Sequence, residues 1–154
     1  MSRAFTRESD DDPAPLPERA VSSHPNLVTP EGLAALEARV RALEQERQAA
    51  RTAADRTLSR RIERDLRYFT QRLATARVVA PGASAERVRF GVRLTLQGAD
   101  GLKQHYRLVG EDEADAARGR LSWVSPLAQA LLGQAVGDTV RFQERELEIV
   151  SIEP

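Results

Sequence analysis

Four acids crowd one short stretch of the chain: Glu111, Asp112, Glu113 and Asp115. Carboxylates at that density are what a hard cation needs, yet the spacing is not that of a calcium-binding loop and no closing glutamate follows. The stretch reads as a solvated loop or as a contact surface for a partner. Ser125 before Pro126 offers a hydroxyl nucleophile, but no histidine base lies near it. A serine ahead of a proline is far more often the cap of a helix. Asp55 is followed by Arg56, Arg60 and Arg61, an acid in basic surroundings that reads as a helix N-cap or a solvated turn residue. His24 and His105 are the only histidines, too few for a histidine metal cluster. The absence of cysteine removes disulfides, thiolate zinc sites and a cysteine nucleophile.

The whole chain is 154 residues with 23 basic and 23 acidic side chains. Zero formal charge argues against a dedicated nucleic-acid binder, which normally carries a large positive excess. Aromatic residues are 5% of the chain, so its core must come from Leu, Val, Ile and Ala. No apolar run approaches the ~20 residues of a membrane span, and residues 1–30 lack the apolar stretch of a signal peptide. A soluble cytoplasmic protein, without a membrane partner, is the expectation.

The even balance hides three segments. Residues 1–28 hold the acidic run Asp10-Asp11-Asp12 and four prolines, Pro13, Pro15, Pro17 and Pro25. They offer little apolar surface to offset ordering and read as a disordered acidic tail, or one that touches a partner. Residues 29–79 are basic, with eleven Arg against seven acids. Thr29, Pro30 and Glu31 make a helix start: a capping oxygen, a fixed φ, and a carboxylate at the positive end of the dipole. Leu33, Leu36, Val40 and Leu43 form one apolar seam; Leu58, Ile62, Leu66, Phe69, Leu73 and Ala76 form a second. The small polar stretch 51–57 between them reverses the chain. The expected product is an antiparallel helical hairpin, a coiled coil whose first helix, 30–51, is roughly 33 Å long.

In residues 80–154 the period falls to two. Val88, Phe90, Val92, Leu94 and Leu96 alternate with polar or small residues as in a half-buried strand. Gly98-Ala99-Asp100-Gly101 turns the chain toward a strand with Tyr106 and Leu108, and Leu121 and Trp123 open another, Trp123 as a core residue. Ser125 and Pro126 start a short helix over 127–132, stopped by Gly133. Gly137-Asp138 leads to strands through Val140, Phe142, Leu147, Ile149 and Ile152. The fold class is α+β: a helical arm joined to a small mixed domain.

Three stretches carry a resemblance. Tyr106-Arg107-Leu108-Val109-Gly110-Glu111-Asp112-Glu113-Ala114-Asp115, then Leu121 through the run Ser125-Pro126-Leu127 to Gly133, then Val136-Gly137-Asp138, are similar in order and spacing to the C-terminal domain of the bacterial Gre transcript cleavage factors. Thr29-Pro30-Glu31-Gly32-Leu33 and Arg64-Asp65-Leu66-Arg67-Tyr68-Phe69-Thr70 resemble the two feet of that family's N-terminal coiled-coil hairpin. The chain looks like a short-armed member nearest the GreB-like branch. The resemblance implies that residues 80–154 adopt an FKBP-like fold and dock on the rim of the secondary channel of RNA polymerase. There the Ser125-Pro126 segment contributes to the gripping surface, with Asp112 and Glu113 as further contacts. It implies a hairpin that enters the channel, where tip acids help hold the polymerase's second catalytic Mg2+ while the polymerase cleaves backtracked RNA. The factor is then no enzyme itself, needs no cofactor of its own, works as a monomer, and meets DNA or RNA only within the elongation complex.

The tip departs from the family pattern. Asp55 matches the first tip acid, but Leu58 stands where the second belongs and Ser59 replaces an asparagine. The arm is also about two turns per helix shorter, ~11 Å of reach, and Val124 replaces a polar residue beside Ser125. Stimulated cleavage, with Asp55 as metal-assisting acid, is the family default. A non-cleaving competitor of other channel binders is the alternative. Two readings from other classes stand beside these: a peptidyl-prolyl isomerase, on fold likeness alone, and a direct nucleic-acid binder using the basic arm.

Overall fold

A computed structural model describes residues 14–154; the acidic run at residues 10–12 and the rest of the expected tail up to residue 13 lie outside the described residues. Helix α1 (Pro30–Thr52) opens on the Thr29 cap, whose side-chain oxygen accepts from the Gly32 amide at 3.0 Å. Helix α2 (Arg56–Thr75) opens on Asp55, which accepts from the Leu58 amide at 2.9 Å. Three residues, Ala53 to Asp55, reverse the chain, and Ala54 does so at φ 55°, a left-handed conformation that a Cβ disfavours. The α1 seam buries Leu36, Leu43 and Ala50; Leu43 and Ala50 cluster with Ile62 of α2, and Leu66 and Phe69 pack alongside. Leu58 of the expected seam is 43% exposed, because it lies in the first turn of α2, beyond the last α1 residue able to cover it. At 23 residues, α1 is roughly 35 Å long.

Strands β1 (Leu27–Val28) and β2 (Arg77–Val78) pair in parallel at the foot of the hairpin. The disordered reading of residues 1–28 is therefore corrected from Glu18 onward. Backbone bonds from Arg77 N to Asn26 O (2.8 Å) and from Val79 N to Val28 O (2.9 Å) give the segment partners that composition does not advertise.

The second unit is a five-stranded sheet in the order β5-β4-β3-β7-β6, from β3 (Arg93–Gly98), β4 (Lys103–Val109), β5 (Arg120–Ser122), β6 (Thr139–Phe142) and β7 (Arg145–Glu153). Only β4 and β5 run parallel. Leu94, Leu96, Leu108, Leu147 and Ile149 line one face, which the short helix α3 (Pro126–Leu131) covers with Leu127, Ala128 and Leu131. The strand expected from Val88 begins at Arg93 instead. Gly91 at φ 88° turns the chain, yet Val88 and Val92 stay buried, so the alternation in burial outlasts the strand. Leu96 pairs with Ile149 and Thr95 with Ser151, which leaves Val150 as a bulge residue. Trp123 is half-buried and lies outside the core. Its ring meets that of His24 edge-on at 6.0 Å. No helix of the described residues is long and apolar enough to cross a membrane.

Candidate functional site

The arm meets the sheet domain through a knot of charged groups at its foot. Tyr68 and Arg72 lie four residues apart and so share a face of α2. Arg72 is 1% exposed, and its Nε donates to Asp112 Oδ2 at 2.6 Å while Tyr68 Oη donates to Asp112 Oδ1 at 2.6 Å. A second carboxylate, Glu111, stands 3.6 Å from the Arg72 guanidinium. Burial, and then the bond to the Asp112 carboxylate, push the Tyr68 hydroxyl up to about 12, so it stays a donor at neutral pH. Glu113 serves the other helix. Its carboxylate accepts from the amides of Thr29 and Gly110, each at 3.0 Å, and from the Thr29 hydroxyl. It also lies over the Gly32 Cα, where any Cβ would collide with it. Gly32 therefore serves close approach, which accounts for a glycine one turn into a helix.

The acid-rich stretch is thus neither a solvated loop nor a cation site. The Glu111–Glu113 turn is a latch: the carboxylates of Asp112 and Glu113, expected at a partner surface, hold the protein's own hairpin. Reading the sequence missed Tyr68, Arg72 and Thr29 as the other half of this latch. The available signal was the spacing of four between a tyrosine and an arginine beside the apolar seam.

The N-terminal segment straps the same helix. Glu18 accepts from Arg67, Arg19 reaches Asp65 at 3.4 Å, and the Arg19 guanidinium lies 4.0 Å from the Tyr68 ring centre. Asn26 donates to Arg72 O at 2.7 Å.

At the far end of the arm Asp55 is exposed, in a shallow pocket of ≈ 300 Å³ lined by Arg51, Arg56, Ser59 and Arg60. Its Oδ1 caps α2. One capping carboxylate among arginines does not make a magnesium site, and no group of three potential ligands among the described residues is placed to hold a metal. Ser125 is a cap as well: its hydroxyl donates to Ser122 O at 2.6 Å and accepts from the Ala128 amide at 3.4 Å. Pro126 beside it is exposed at the start of α3. Among the described residues no hydrogen bond or shared pocket joins the tip to the Ser125-Pro126 corner.

A helical hairpin latched by its foot to a five-stranded sheet domain defines the class of protein. Residues 83–154 match the C-terminal domain of the transcription elongation factor GreA/GreB family. The GreB transcription elongation factor of Xanthomonas axonopodis pv. citri is 41% identical over 133 residues, 73% of this chain and 79% of that protein. GreB of Neisseria meningitidis (Z2491) is 39% identical over 100 residues, and the match spans 61% of each chain. GreA of Alkalilimnicola ehrlichii is 39% identical over 98 residues, 59% of this chain and 62% of that one. Among solved structures, the Gfh1 protein of Thermus thermophilus aligns with TM-score 0.41 and 20% identity over 85% of this chain and 100% of its own. The chain belongs to the GreA/GreB family of transcription elongation factors.

Proposed function

We propose that this protein regulates transcription elongation by binding RNA polymerase and occupying its secondary channel. The sheet domain, FKBP-like in this reading, docks on the channel rim through the exposed Pro126 corner that Ser125 holds in shape. The latched hairpin, a coiled coil in this reading, points inward. The protein works as a cytoplasmic monomer, meets nucleic acid only inside the elongation complex, and catalyses nothing alone. What carries the reading is the combination of family membership with an arm fixed at its foot by the buried Arg72–Asp112 pair. A hairpin on a loose joint would not deliver its tip to one place in a pore.

The tip supports occupation over metal assistance. A single acid, already spent on a helix cap and set among arginines, is a poor extra ligand for the polymerase's Mg2+. The protein then competes with other channel binders and does not itself accelerate cleavage. Pulldown with RNA polymerase tests the binding, and no retention at micromolar concentration overturns it. A stalled elongation complex tests the tip: the wild type should leave cleavage unchanged and slow that driven by a cleavage factor. Acceleration by the wild type that Asp55→Ala abolishes would restore the family default, with Asp55 as a metal-assisting residue.

A further inference from the structure

The face of the sheet turned away from α3 carries a row of cations. Arg120 on β5 pairs in register with Arg107 on β4, and Arg107 pairs with Arg93 on β3. Adjacent strands are ~4.8 Å apart, so three guanidinium groups are borne on strands spanning about 10 Å. Like charges directly opposite one another destabilise a sheet, and here two such oppositions follow in one rung. The next rung sets His105 against Thr95 and Thr95 against Ser151, with the Thr95 hydroxyl 3.0 Å from His105 Nδ1. The two rungs floor a groove of ≈ 480 Å³ that Arg118 also lines. Counter-charge is sparse. Glu31 pairs with Arg107 at 3.3 Å, Asp115 with Arg118 at 3.6 Å, and Glu153 stands opposite Arg93 beyond ion-pair range. Among the described residues neither Arg93 nor Arg120 makes an ion pair, and Arg107 Nε is buried without an acceptor.

We propose that this groove binds a pyrophosphate-type anion, the linked phosphates of a nucleoside di- or triphosphate. A planar guanidinium presents paired donors that match phosphate oxygens, and a row of three suits two linked groups better than one. The bound anion relieves the repulsion along the rung. The site lies on the sheet's other face from α3 and does not depend on polymerase binding.

Calorimetric titration of the full chain with inorganic pyrophosphate, ADP, inorganic phosphate and a 12-nucleotide single-stranded RNA tests the proposal. Pyrophosphate and ADP should bind saturably, at least tenfold tighter than phosphate. Arg93→Gln and Arg120→Gln, both exposed and unpaired, should each weaken binding about tenfold while thermal unfolding stays within a degree or two of wild type. Glu153→Gln should tighten it, since it removes a negative charge that lines the groove. No saturable binding at millimolar pyrophosphate, binding unchanged in both Arg variants, phosphate binding as well as pyrophosphate, or binding of RNA alone would each overturn it.

Discussion

The two ends of the hairpin use the same residue types to opposite ends. At the foot, Asp112 and Arg72 are almost completely withdrawn from water, with side chains 12% and 2% exposed, and Tyr68 completes the set. At the tip, Asp55 and Arg56 are exposed, and the acid caps a helix. A charged pair in a desolvated place is costly to break, because removing one partner strands the other. A charged group in water is cheap to change. The foot is therefore where this protein spends stability on fixing the arm, and the tip is where it remains free to vary in chemistry.

Substitutions at the two ends should separate accordingly. Asp112→Ala leaves Arg72 buried without its shortest partner and should cost about 3–5 kcal/mol in urea unfolding; a cost near that of a surface change would break the contrast. Gly32→Ala should destabilise by about 2 kcal/mol. Helix propensity alone favours alanine by roughly 1 kcal/mol, so the sign itself decides whether the Glu113 carboxylate really lies on the glycine. Asp55→Ala should cost about 1 kcal/mol through the lost cap, and Asp55→Asn almost nothing, because asparagine caps as well. Ala54→Gly should stabilise by about 0.5–1 kcal/mol by relieving the left-handed strain at φ 55°. One effect is confined to alkaline solution. The Tyr68 hydroxyl is raised in the folded protein, so its contribution is whole below the ordinary value near 10 and disappears as pH climbs to about 12. A Tyr68→Phe variant should lose less stability than wild type across that interval, as followed by circular dichroism.

The outlines of both units were legible because burial repeats with the period of the element. Leu36 and Leu43 mark one helix, and Leu94 and Leu96 mark a strand, with no help from distant residues. Local rules failed where partners come from far along the chain. Asp112 and Glu113 look solvated until Arg72 and Thr29, forty and eighty-four residues away, are set beside them. Charge implies exposure only when nothing pairs it. The parallel pairing of Leu27–Val28 with Arg77–Val78 was hidden for the same reason. The turn between β6 and β7 escaped differently: Gln143 and Glu144 adopt φ of 50° and 62° without the glycine or asparagine that usually announces such a turn. At the tip, the single acid and the exposed cap were readable from Asp55, Leu58 and Ser59 alone, because the cap is a local bond between Asp55 and Leu58.

The most direct measurement places a photoreactive side chain at Thr57, in the first turn of α2, and irradiates the protein bound to RNA polymerase. The account predicts crosslinks to polymerase segments lining the secondary channel, reduced by an excess of a GreB cleavage factor and lost when Asp112→Ala releases the arm. Crosslinks confined to the outer surface of the polymerase, or unaffected by the competitor, would contradict it.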